Sequence, residues 1–289
     1  MSALLAIKNL KKTFSLPKYL GGTARGVLAV DRVDLVINEG EHLGLVGESG
    51  SGKSTLARLV VKLYRADEGE IVLDGDHIIH LSQRRFRSYR RKVQMVFQDP
   101  HSSLDSRFSV RRILKEAMAL LPERISRKEQ DGMMKEALQV VGLSQDVLLR
   151  FPHEFSGGER QRIAIARALI MKPKLLILDE AVSSLDVLVQ AQIIALLQQL
   201  QAQFGLTYLF ITHNLRAVRR LCNRIAVMYQ GKIVETAPTE ELFARPLHPY
   251  TQQLLTAAMD YKSSEDISEE VFTENSRLID EGNGHFVLK

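Results

Sequence analysis

Hydrophobic and polar positions alternate along this chain with three different periods. Unbroken apolar runs at Leu43-Gly44-Leu45-Val46, Leu175-Leu176-Ile177-Leu178 and Thr207-Tyr208-Leu209-Phe210-Ile211 are short and end in polar residues, as strands buried on both faces do. Between residues 4 and 43, short strand-like runs such as Val33-Asp34-Leu35-Val36-Ile37 alternate with polar turns. With Glu70-Ile71-Val72-Leu73-Asp74-Gly75 they predict a small, largely antiparallel sheet, and Leu16 to Gly26 reads as an exposed loop. Ile225 to Tyr229, the turn Gln230-Gly231 and Lys232 to Glu235 predict a hairpin. A helical period runs from Val110 to about Leu149, broken at Gly142. Another places Val189, Ile193, Leu196, Leu197, Leu200 and Phe204 on one face, which is expected to be core, and closes at Gly205.

The first apolar run leads into Gly47-Glu48-Ser49-Gly50-Ser51-Gly52-Lys53-Ser54, and Thr55 to Val61 follow as a helix. This fits Gly-x-x-x-x-Gly-Lys-Ser in its strand-loop-helix context, the loop that wraps nucleotide phosphates. Glycines let backbone N–H groups converge on phosphate oxygens, and the helix N-terminus adds a partial positive charge. Lys53 is expected to reach the outer phosphates of ATP or GTP, and Ser54 to hold Mg2+. The second run delivers Asp179 and Glu180 at a strand's C-terminal end, the edge where open parallel sheets bind ligands. Asp179 suits the Mg2+ shell, and Glu180 can orient and activate a water for attack on the γ-phosphate.

Between these lies Phe155-Ser156-Gly157-Gly158-Glu159-Arg160-Gln161-Arg162, opening a helix through Leu169. The segment resembles the Leu-Ser-Gly-Gly-Gln signature of ATP-binding cassette (ABC) ATPases, with Phe155 and Glu159 departing from it. Val96-Phe97-Gln98 resembles the family's Q-loop, Ser183-Ser184-Leu185-Asp186 its D-loop, and Ile211-Thr212-His213 its switch histidine. Phe14 resembles the aromatic that stacks on adenine, a role for which Tyr19 competes. The resemblance covers roughly residues 4 to 260 and implies an α/β, ABC-type P-loop NTPase cassette: a RecA-like core, an antiparallel β subdomain, and a helical subdomain over about 101–157.

In this family two cassettes pack head to tail, and each ATP lies between the phosphate loop of one and the signature of the other. The resemblance therefore implies nucleotide contacts from Phe14, Gly47, Glu48, Ser49, Gly50, Ser51, Gly52, Lys53, Ser54 and Thr55, with Ser156, Gly157, Gly158, Glu159 and Asp186 serving the partner's half-site. It implies Mg2+ at Ser54, Gln98 and Asp179, hydrolysis through Glu180, and γ-phosphate sensing by Gln98 and His213. Glu159 puts a negative charge near a nucleotide edge, so altered tuning of that half-site is expected.

Composition limits the alternatives. The single cysteine, Cys222, excludes an internal disulfide or a multi-cysteine metal centre and fits a reducing cytosol. The N-terminal apolar run is too short for a signal peptide, and no stretch reaches the length of a membrane span. The net charge of +5 conceals eight acids against three Lys/Arg from Asp260 onward, so the cassette carries the basic excess and residues 261–289 read as an acidic, loosely docked tail. Arg84-Arg85-Phe86-Arg87 and Arg90-Arg91-Lys92 read as a solvated helix face in preference to a nucleic-acid patch.

The loop, Phe97 to Leu104, and Arg245-Pro246-Leu247-His248-Pro249-Tyr250-Thr251 together resemble the oligopeptide, dipeptide and nickel importer ATPases. Asp179-Glu180-Ala181-Val182, Leu209 to His213 and Ile233 to Thr236 lean toward the nickel system. The implied function is an ATPase energising import of nickel, a metal chelate or a short peptide from the cytoplasmic face of the membrane. Its implied partners are a second, different ATPase chain, two transmembrane permease subunits and, indirectly, an extracytoplasmic binding protein. The alternatives are a soluble ABC ATPase working on nucleic acid or ribosomes, motivated by the basic cassette, and an exporter ATPase.

Overall fold

A computed structural model describes residues 2–15, 26–97, 104–121, 125–259 and 276–289. The chain divides into two compact units, residues 1–80 with 210–289, and residues 81–209.

In the first unit, β1 (Ala3–Ser15) and β2 (Gly26–Asn38) pair antiparallel as a long ribbon. With β4 (Glu68–Leu73) and β5 (Asp76–His77) they form the antiparallel sheet that the sequence predicts, in the order β2-β1-β4-β5. The strands are longer than the short alternating runs suggest. Register shifts interrupt their pairing, and Asn9 and Arg32 have φ of 46° and 50° near them. Such bulges break the period-2 pattern without ending a strand. Leu5, Ile7, Leu10, Ile37, Ile71 and Leu73 form the buried face.

A second set of strands in this unit carries the phosphate loop. β3 (His42–Val46) runs parallel to β9 (Arg224–Tyr229), pairing Leu43 with Arg224 through to Val46 with Val227. β9 turns back into β10 (Lys232–Pro238) at Gln230 and Gly231, whose φ values of 46° and 84° suit a two-residue hairpin turn. Two helices follow, α8 (Thr239–Ala244) and α9 (Pro249–Met259).

The acidic C-terminus departs from the expected loose tail. Leu278–Asp280 (β11) and Phe286–Leu288 (β12) make a hairpin, and β12 pairs with β10 through Glu235 with Val287 and Thr236 with Phe286. The reason is a buried polar anchor. Glu235 is fully buried, and its carboxylate lies 2.6 Å from His285 Nε2 while accepting the backbone N–H groups of Leu247 at 2.8 Å and His248 at 3.0 Å. Three partners on one carboxylate offset much of its desolvation. Residues 261–275 lie outside the described residues.

In the second unit, β6 (Val93–Val96) pairs parallel with β7 (Leu175–Asp179). The predicted helical stretch resolves into α3 (Val110–Met118), α4 (Arg127–Val140) and a 3-10 turn at Gln145–Leu149, with Gly142 at φ 73° after α4. Ser126 and Glu129 close a capping box at the start of α4. The basic run forms α2 (Gln83–Phe86) and a 3-10 turn at Tyr89–Arg91, with Phe86 buried and the arginines facing outward or bonded locally, as Arg90 is to Gln83. The chain passes from the second unit back to the first within β8 (Thr207–Ile211).

Candidate nucleotide site

The phosphate loop links β3 to α1 (Lys53–Val60). Two glycines in it are sterically required. A Cβ on Gly47, at φ 148°, would sit 2.1 Å from the Met228 carbonyl oxygen, and one on Gly52, at φ 109°, would sit 2.2 Å from that of Ala29. β9 and β2 thus press on the loop from both ends. Gly52 is the N-cap of α1, so the first-turn N–H groups of Lys53, Ser54 and Thr55 lie at the end of the loop. This suits a phosphate.

Lys53 is buried, and its ammonium donates to the carbonyl oxygens of Gly47 at 2.8 Å and Glu48 at 2.6 Å and to Ser51 Oγ at 3.1 Å. The charge is thereby stored inside the loop it serves. Glu48, Ser49 and Gly50 form the exposed rim. At the rim the Glu48 N–H donates to the Tyr250 hydroxyl at 2.8 Å, a contact that the sequence patterns leave unmarked.

His213 belongs to the same unit. The Thr212 N–H donates to the Leu45 carbonyl at 3.3 Å, which sets the segment after β8 beside β3 and leaves His213 exposed. Asn214 then caps α7 (Leu215–Leu221), accepting the Ala217 N–H at 3.1 Å. Phe14 is half-buried on β1, its ring edge-to-face with Tyr64 at 5.2 Å and its face 5.4 Å from Lys12 Nζ. Tyr19 and Gln98 lie outside the described residues.

In the second unit Asp179 ends β7 almost fully buried, and Glu180 follows with φ 47°. A left-handed backbone is uncommon for glutamate and turns the chain sharply out of the strand. The Ser183 N–H closes that turn on the Glu180 carbonyl at 3.1 Å. Asp186 ends the segment as N-cap of α6 (Val187–Phe204), accepting the Val189 N–H at 2.9 Å. Helix α6 buries Ile193, Ile194, Leu196, Leu197 and Leu200, while Val189 is half-buried and Phe204 exposed, so the predicted stripe is core only in its middle.

The signature segment opens α5 (Gly157–Leu169). Glu159 accepts the Ser156 N–H at 2.9 Å and the Ser156 hydroxyl at 2.8 Å, and the Glu159 N–H donates to Ser156 Oγ at 3.3 Å. Bonds from the Ser156 backbone and then its hydroxyl hold the Glu159 carboxyl below the usual range, and it stays ionised. A capping box takes Glu or Gln at this position, so the departure keeps the cap. Phe155, the other departure, is buried with the Arg150 guanidinium 4.2 Å above its ring. A Cβ on Gly158 would meet Val189 Cγ1 at 2.5 Å, so the signature packs directly on the helix that Asp186 caps.

Residues 30–183, more than half of the chain, match the family model described as ABC transporter, and residues 234–282 match that of the oligopeptide/dipeptide transporter C-terminal region. The chain belongs to the ABC transporter ATPases of the oligopeptide/dipeptide importer family. It is 48% identical to the oligopeptide transport ATP-binding protein OppF of Streptococcus mutans over 88% of this chain and 81% of that protein. The dipeptide transport ATP-binding protein DppF of Lactococcus lactis is 45% identical over 88% of this chain and 80% of its own length. Among solved structures, the ATP-binding cassette MJ0796, determined as a dimer bound to ADP and Pi, matches with a TM-score of 0.73 at 27% identity, covering 81% of this chain and 98% of that one. This ABC ATPase is thus an ATP-binding, ATP-hydrolysing transporter subunit with the expected cassette fold.

The lean toward nickel gains no support, since these relatives are named for peptides. Nor do they favour the nucleic-acid or export alternatives. Of the residues behind that lean, Ala181, Val182, Phe210 and Thr236 are buried. No helix among the described residues is long and apolar enough to cross a membrane.

Proposed function

We propose that this ATPase powers uptake of short peptides from the cytoplasmic face of the membrane. It works with a second, different ATPase chain and two transmembrane permease subunits, fed by an extracytoplasmic peptide-binding protein. The observation that carries the reading is the match of residues 234–282 to the oligopeptide/dipeptide transporter C-terminal region, together with 48% identity to an oligopeptide transport ATP-binding protein.

The residue roles are those that the resemblance to the family implies. Lys53 and the N-terminus of α1 hold the phosphates, and Phe14 contacts the adenine. Ser54, Gln98 and Asp179 suit a hard cation, being oxygen donors. Mg2+ bound there would neutralise charge on the phosphate oxygens. Glu180 orients the attacking water and takes its proton, while His213 reads the γ-phosphate. Ser156, Gly157, Gly158 and Asp186 complete the partner's half-site.

Cells lacking this chain should lose uptake of a labelled tripeptide and recover it with the wild-type chain, with nickel uptake unaffected. Peptide uptake that persists without the chain, or nickel uptake that depends on it, would sink the assignment.

A further inference from the structure

The segment Arg245 to Thr251 is explained neither by nucleotide chemistry nor by the cassette core, yet it is built around one contact with the phosphate loop. We infer that Tyr250 is a positioning residue for ATP: its hydroxyl accepts the Glu48 N–H and holds the loop in its nucleotide-binding shape.

Each residue of the His248-Pro249-Tyr250 run has a part in presenting that hydroxyl. Pro249 occupies the first position of α9, where a missing N–H costs nothing. His248 stands before it, and its Nδ1 accepts the Tyr250 N–H at 3.1 Å, capping the helix with an imidazole. The Leu247 and His248 N–H groups are fixed on the buried Glu235 carboxylate, which also binds His285 of the C-terminal hairpin. The Tyr250 ring stacks on Tyr229 with centroids 4.2 Å apart, at the end of the strand whose Met228 carbonyl abuts Gly47. Tyr250 is 4% exposed, and its hydroxyl lies 2.8 Å from the Glu48 nitrogen. Burial pushes the phenol up to about 12, so it remains protonated at neutral pH.

The consequence is local. Glu48 is the second loop residue, and Lys53 also bonds the carbonyl oxygens of Gly47 and Glu48. The loop entrance is therefore held twice, by a tyrosine outside the cassette motifs and by the phosphate-binding lysine within them. Without the hydroxyl, the Gly47–Glu48 peptide is held by Lys53 alone, and the added ordering is required when ATP enters.

Tyr250→Phe keeps the stack on Tyr229 and removes only the hydroxyl. In the assembled transporter it should raise the KM for ATP, and the Kd for a non-hydrolysable ATP analogue, about 3–10-fold. It should leave kcat within about twofold and the nucleotide-free unfolding midpoint nearly unchanged, because Glu48 lies on the exposed rim where water can accept its N–H. Amide hydrogen exchange should rise at residues 47–54 alone, and His248→Ala, which removes the cap, should shift KM in the same direction. Unchanged KM and Kd would overturn the role. A KM change accompanied by a fallen midpoint and raised exchange throughout the first unit would also overturn it, marking Tyr250 as a packing residue. Because nucleotide affinity is read without any transported molecule, this result is independent of the peptide assignment.

Discussion

Glu180→Gln should lower ATP turnover about 10²–10⁴-fold while leaving ATP affinity within a few-fold of wild type. Glutamine preserves the size of the side chain and its capacity to accept a hydrogen bond, but it cannot take a proton from water. Asp179 is almost completely buried at the end of β7, and the chain leaves the strand at Glu180 in a left-handed turn closed by the Ser183 N–H. That backbone is strained for a residue with a Cβ, and the turn fixes where the Glu180 side chain leaves the main chain. Single-turnover hydrolysis and equilibrium ATP binding on the same preparation separate the two effects. A turnover loss below about threefold would remove Glu180 from the chemistry.

Lys53→Met should abolish measurable turnover and weaken ATP binding by at least about 100-fold. The ammonium is the buried cation at the centre of the loop, and the substitution removes both its charge and its donors to the Gly47 and Glu48 carbonyl oxygens. Two loop carbonyls then lose a partner, while a buried charge no longer needs solvation. These effects oppose one another, and the nucleotide-free protein should lose no more than about 1–2 kcal/mol of stability. Binding of a labelled ATP analogue alongside a denaturant titration checks both parts. Retention of tight binding would show that the stored ammonium is structural and does not engage phosphate.

The features legible in the sequence are those whose physics is local. A loop that needs glycine at Gly47 and Gly52 declares itself, because neighbouring carbonyls leave no space for a Cβ. The hairpin at Gln230-Gly231 and the stop at Gly205 likewise depend on backbone angles that few residues adopt. Glu159 is readable in the same way once its capping box is seen, since Ser and Glu three residues apart mark a helix start.

What escaped the sequence depends on distant partners. The acidic C-terminus looks like a tail because Asp280 and Glu281 remain exposed, but His285 and Val287 are buried through Glu235, fifty residues from His285. Nothing local to either segment announces that bond. The His-Pro-Tyr run was visible as a family marker, yet its contact with Glu48 spans 202 residues. Bulges in β1 and β2 hid two long strands behind an irregular alternation. Phe14 shows the limit of a single aromatic as a signal: its ring already contacts Tyr64 and Lys12, while Gln98 lies outside the described residues.

On the proposed function, ATP hydrolysis at Glu180 is coupled to peptide delivery. Its most direct test is the Mg-ATP turnover rate of the assembled transporter in lipid, with binding protein either peptide-free or loaded with a short peptide, for wild type and Glu180→Gln. Loaded binding protein should stimulate the wild type several-fold and the variant not at all. Turnover indifferent to peptide, or stimulation that survives in Glu180→Gln, would rule that coupling out.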